Sequence, residues 1–184
     1  MRGAIALTLV LAVLLSSRPA QSGSWSLGSH MGLAHISSGV EGSGSSFSIA
    51  GPQSAFVYQP GLRLGFGDER RLQEVQLDVG FFWLDQAGAS YSLLDLSTSY
   101  QRCLSGGPTA PFANLGLGFL SEGSAGRSSA SGLFGLGVGV RHVIRERRGA
   151  VRAEGRVDWL LRDKTTDRPA LTTIGLRLGF DLWL

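Results

Sequence analysis

The stretch Gly175–Leu184, GLRLGFDLWL, repeats with a period of two. Leu176, Leu178, Phe180, Leu182 and Leu184 share one parity. Gly175, Arg177, Gly179, Asp181 and Trp183 share the other. In a β-strand successive side chains point to opposite faces, so one face here is large and apolar while the other carries glycine and charge. The run stops on a strand residue with no polar tail. That is the pattern expected of a strand whose ladder is completed by another strand of the same chain.

The same alternation recurs upstream and predicts eight strands, at about 24–37, 55–66, 72–84, 90–102, 110–120, 132–144, 150–162 and 171–184. In the third, Val75, Leu77, Val79, Phe81 and Trp83 alternate with Glu74, Gln76, Asp78 and Gly80. In the sixth, Phe134, Leu136, Val138 and Val140 alternate with Gly135, Gly137, Gly139 and Arg141. Helical periodicity is nearly absent. Pro60 cannot donate to a ladder and belongs at a bulge or rim, and Phe82 and Phe112 fall on the polar parity. Connections at 38–54 and 121–131 are Gly/Ser-rich and read as loops, whereas 67–71 and 145–149 read as tight turns.

Residues 1–22 are set apart. Arg2, the apolar run Ala4–Leu15 and the small residues ending at Ala20-Gln21-Ser22 have the layout of a secretory signal peptide. The run is shorter than the roughly 20 residues of a spanning helix. Residues 23–184 then form one domain by length. They contain a single cysteine, Cys103, so no intramolecular disulfide is expected. The net charge is +3, with Arg-rich clusters in apparent turns of an exported chain, which argues against nucleic-acid binding.

A soluble barrel turns its large apolar residues inward. Here the opposite parity is small and glycine-rich, as the bore of a narrow barrel requires, and its charges are of both signs. Arg63, Asp78, Arg141, Glu154, Arg156, Asp158, Arg177 and Asp181 are expected to form an interior hydrogen-bonded network, since buried charges are costly unless paired. Strands of about this length suffice to cross a bilayer, and closed barrels are the only β-structures that can. Trp25, Tyr58, Trp83, Tyr91, Tyr100, Trp159 and Trp183 lie near strand ends, where an aromatic girdle would sit. The fold class read from these patterns is all-β, an eight-stranded antiparallel up-and-down transmembrane β-barrel.

The segments QPGLRLGFGD, PFANLGLGFL, FGLGVGVRHVI, VRAEGRVDWLL and GLRLGFDLWL together resemble the small eight-stranded outer-membrane β-barrel family of OmpA-like and OmpX/OmpW-like barrels, over about residues 24–184. The resemblance implies location in the cell outer membrane, contact with outer-membrane lipid, and a terminal strand read by the barrel-assembly machinery. Phe180 and Trp183 fit that strand signal, while Leu184 stands where the family ends on an aromatic.

Motifs with possible chemistry are few. His35 and Ser37 share a strand face with Glu41 nearby, a pairing similar to that of outer-membrane lipid A deacylases, but no oxyanion site accompanies it. His30 falls on the glycine parity and His142 at a rim. Three scattered histidines and one cysteine do not make a metal site. The Gly-x-Gly repeats lack the lysine and helix of a phosphate loop. Glu154 and Asp158 flank Arg156 and read as an ion network in preference to an acid/base pair. The expectation is therefore a monomeric, non-enzymatic barrel without metal or cofactor, structural or acting in surface recognition through its loops. A narrow solute pore, a lipid-modifying enzyme and a secreted lipocalin-like carrier are the alternatives.

Overall fold

The computed structural model describes residues 23–37, 45–50, 62–86, 89–124, 127–144, 148–164, 167 and 169–184. Residues 1–22, Glu41, Tyr58 and Pro60 lie outside them. All regular structure among these residues is β. The strands are β1 (Ser24–Ser37), β2 (Ser45–Ala50), β3 (Leu62–Gly67), β4 (Gln73–Gln86), β5 (Ala89–Cys103), β6 (Thr109–Ser124), β7 (Arg127–Val143), β8 (Gly149–Leu160) and β9 (Leu171–Trp183).

Each strand from β3 to β8 pairs antiparallel with the next, and β9 pairs with β1, which closes the sheet into a barrel. β2 and β3 share one stave. β3 pairs with the first part of β1 (Ser24–Gly28) and β2 with its second part (Gly32–Ser37), along the same edge. The nine strands therefore make eight staves. The stretch 38–54, read as a loop from its Gly/Ser content, thus contributes a strand at Ser45–Ala50. The stretch 121–131 was misread for the same reason. β6 and β7 continue in register to Ser124 and Arg127, so small residues there lengthen a hairpin. Serine and glycine are weak strand formers, yet a ladder already set by Phe119 and Leu133 carries them along.

The register fixes how the barrel closes. Partners lead from Ser26 through Gly65, Gln76, Ser99, Gly116, Gly135, Asp158 and Thr173 to Ile36. The circuit returns to β1 ten residues beyond its start, from Ser26 to Ile36. Such a stagger requires strands tilted to the barrel axis. Two ends can be distinguished. The lower end carries the connections around 68–72, 104–108 and 144–148, and the upper end those around 87–88, 125–126 and 161–170.

Burial alternates with the sequence pattern. In β3 and β8 every second residue is buried. Met31, Leu62, Phe81, Val138, Leu176 and Leu178 point outward, each more than 60% exposed. Trp25, Phe66, Tyr100 and Phe180 ring the lower outer wall, with Trp25 against Phe66 at 5.1 Å. Phe81 and Trp83 lie near the upper end, where Phe134 stacks on Trp159 at 5.4 Å. Tyr91 and Trp183 do not join these rings. Tyr91 packs on an apolar cluster inside the barrel, and Trp183 shares the inward parity of Asp181.

Glycine on the inner face is a matter of space. A Cβ at Gly137 would run into Glu154 Oε1, and one at Gly135 into Asp158 Oδ1 and the Arg156 guanidinium. At the outward Gly155 an added Cβ meets nothing nearer than 3.8 Å. Gly137→Val should therefore destabilise the barrel by about 2–3 kcal/mol through overpacking, whereas Gly155→Ala should stay within about 0.5 kcal/mol. Urea unfolding of the detergent-refolded variants, followed by tryptophan fluorescence, checks the contrast.

Candidate functional site in the barrel core

The inward parity builds a charged core. Arg63, Arg71, Arg141, Arg152, Arg156 and Arg177 are buried together with Glu74, Asp78, Asp95, Glu154, Asp158 and Asp181. With Asp163, buried in the connection after β8, six arginines and seven carboxylates are buried among the described residues, so the two signs nearly balance. The eight residues singled out from the sequence all point inward. Arg71, Glu74, Asp95 and Arg152 were missed. Glu74, Asp95 and Arg152 sit on the inward parity of their strands and could have been found by extending it. Arg71 lies in a turn, where no parity applies.

Register brings the charges together. Arg63 and Asp78 are direct cross-strand partners. The Arg63 Nε donates to Asp78 Oδ1 at 2.5 Å and Nη2 donates to Oδ2 at 2.8 Å, a bidentate pair. Arg156 serves two carboxylates, with Nε donating to Asp158 Oδ1 at 2.5 Å and Nη1 to Glu154 Oε1 at 3.4 Å. Arg177 from β9 donates to the other Asp158 oxygen at 3.3 Å. Arg152 bridges Asp181 at 2.8 Å and Gln101 at 3.2 Å, and Gln101 accepts from Gln76 at 3.4 Å. Neutral amides thereby extend the network around the wall.

The lower mouth holds a separate group. The Ser26 hydroxyl donates to Glu74 Oε1 at 2.6 Å, and Arg71 Nη1 lies 3.8 Å from the same oxygen. Burial pulls the Arg71 guanidinium below its usual pKa, and Glu74 opposes that pull. Arg71 and Arg141 both approach the Trp183 ring, at 5.1 and 6.0 Å from its centre.

Apolar clusters close the core at both ends. Leu93, Leu120, Leu133 and Leu160 meet at the upper end, backed by Tyr91 and Leu171. Cys103, Ala110 and Phe112 meet at the lower end, against Leu72. Phe112, on the polar parity, is part of this lower plug. Between the plugs some polar atoms have no hydrogen-bond partner among the described residues. They include both carboxylate oxygens of Asp95, the side-chain amide of Asn114 and both ring nitrogens of His30.

The remaining candidates are peripheral. His35 is exposed on the outward parity of β1, and His142 shares a 2.7 Å hydrogen bond with the Thr109 hydroxyl at the lower rim. Among the described residues no group of three His, Cys, Asp or Glu is placed to hold a metal ion. The only lysine in the chain, Lys164, is exposed in the upper connection, so every cation of the core is arginine.

A closed eight-stave barrel with lipid-like exterior and ionic interior is now in view. The fold is that of the small eight-stranded outer-membrane barrels. Neisserial surface protein A superposes with a TM-score of 0.63 at 13% identity, over 88% of this chain and 99% of that one. The Yersinia pestis attachment invasion locus protein Ail (TM-score 0.46, 12% identity) and the N-terminal barrel domain of Pseudomonas aeruginosa OprF (TM-score 0.40, 13% identity) each cover 88% of this chain and are covered along their whole length. No family profile and no curated protein matches the sequence.

Removing one member of a buried pair strands the other. Asp78→Ala should cost about 3–5 kcal/mol, because Arg63 is left charged and buried, whereas the double change Arg63→Met with Asp78→Leu should cost far less. Unfolding of the two variants in matched detergent tests the inequality, and equal losses would overturn it.

Proposed function

We propose that this chain is an integral outer-membrane barrel protein, monomeric and non-enzymatic, with a structural or surface-recognition role. The supporting observation is the inversion of its faces. Large apolar side chains cover the outer wall on every stave with described side chains, while the core arginines and carboxylates are enclosed and the exposed charges lie at the strand ends and connections. Soluble monomers rarely expose apolar patches beyond a few hundred Å². A hydrocarbon layer bounded by aromatic rings accommodates such a wall, and the closed circuit of pairings among the described residues gives every stave two neighbours in it. On this reading residues 1–22 direct export, residues 23–184 form the barrel domain, and outer-membrane lipid is the main partner. The barrel-assembly machinery engages β9, and the lower end faces the periplasm.

The interior network serves stability on this reading. Its arginines and carboxylates neutralise one another across the bore, and the plugs keep solutes out. The unpartnered atoms of Asp95, Asn114 and His30 favour a second reading, a narrow solute path, because buried polar atoms of this kind usually bind water. The leucine and Cys103–Phe112 plugs weigh against it. His35 and Ser37 share the outward parity of β1, where a lipid substrate would lie, but a catalytic pair also needs an orienting acid and an oxyanion site, and no observation among the described residues supplies them.

Two measurements test these readings. The protein should fractionate with the outer membrane and migrate faster on a gel before boiling than after. A soluble protein with unchanged mobility would overturn the membrane assignment. Reconstituted in planar bilayers, the barrel should carry no measurable ion current, and discrete conductance steps would replace the structural role with the pore.

A further inference from the structure

Arg71 occupies an unusual backbone position. The β3–β4 connection begins with Asp68, whose Oδ1 accepts from the Leu72 and Gln73 amides at 2.7 and 3.1 Å. The Arg71 amide donates to the Asp68 carbonyl at 2.8 Å, closing a turn over Glu69 and Arg70. The chain then passes through Arg71 at φ 54°, the left-handed region. A turn followed by one left-handed residue is a common hairpin connection, and glycine is the residue that fits it without strain. An arginine there costs backbone energy, so its side chain must return something.

The side chain reaches across the place where the barrel closes. Its Nη2 donates to the Trp25 carbonyl on β1 at 2.9 Å, and its guanidinium lies over the Trp183 ring on β9. The Leu184 amide donates to the same Trp25 carbonyl at 2.9 Å. One side chain from the β3–β4 turn therefore touches both strands of the β1–β9 ladder. Arg141 from β7 approaches the same ring, so cations from two elements hold Trp183 inside the mouth.

We propose that Arg71 is a latch on the closing seam: strained at a glycine position, it pins Trp183 of β9 to Trp25 of β1 and holds the ladder that closes the barrel shut. Trp183 turns inward with the parity of Asp181, which puts its ring within reach of Arg71. The proposal concerns the mechanics of closure and stands whether the barrel sits in the outer membrane or in another lipid layer.

The test compares Arg71→Gly, Arg71→Lys, Trp183→Phe and the Arg71→Gly/Trp183→Phe double variant in the full barrel, refolded in detergent. If the turn alone mattered, Arg71→Gly would relieve the strain and slow unfolding. The latch predicts the reverse. Arg71→Gly should unfold about fivefold faster, as loss of a partly desolvated cation–π contact implies, with Arg71→Lys intermediate. The double variant should be less impaired than the two single effects combined. Amide exchange should rise at Ser26–Gly28 and Asp181–Trp183 while the β5–β6 ladder stays protected. Unchanged or slower unfolding of Arg71→Gly overturns the proposal, as does a uniform rise in exchange around the barrel. Should Arg71→Gly fail to fold, the Arg71→Lys exchange pattern decides between the same two results.

Discussion

The β1–β9 ladder is the constraint on which the rest depends. Without it the eight staves are an open sheet with two long unpaired edges, each a template for aggregation. With it, every stave has two neighbours, and the face toward the axis becomes an enclosed volume. Closure sets the bore, and the bore decides which residues fit. Glycine at 135 and 137 admits Arg156, Asp158 and Glu154, and no larger residue does so without displacing a carboxylate. The alternation of glycine and charge is the sequence image of closure.

The core illustrates how a narrow barrel manages buried charge. A single buried pair gives little net stability, since desolvation offsets attraction. Here the pairs are linked, with Arg156 shared by two carboxylates and Asp158 by two arginines. Sharing lets fewer cations satisfy more oxygens, and it ties β8 to β9 from within. The guanidinium fork suits such bridging better than a lysine ammonium, which presents one point charge on a flexible stem.

Much of this was legible in the sequence, because period two is strict wherever both faces are chemically distinct. The strands from 72 to 184, their inward residues and the closed architecture follow from alternation alone. What escaped did so for physical reasons. Ser45–Ala50 and the tip of the β6–β7 hairpin are built from residues with weak strand preference and form through their partners' ladder. Trp183 and Tyr91 sit near strand ends, but parity, and not position, sets the face a residue takes. Arg71 enters the core from a turn, so only the folded geometry reveals it. Asp95 lay on a readable inward parity, but with leucine and serine as its neighbours on that face no partner of opposite charge drew attention to it.

The all-arginine core has a consequence for how the molecule presents itself chemically. Sixteen of the seventeen cationic side chains are guanidinium groups, leaving Lys164 as the single side-chain amine. Apart from the terminal α-amine, amine-directed acylating reagents, lysine-cleaving proteases and aldehydes therefore meet one side-chain handle, in the upper connection. Such a barrel carries its own marker of sidedness. Whatever reaches Lys164 has approached from the end of the 161–170 connection, and the opposite mouth, lined by arginine, offers such reagents no lysine.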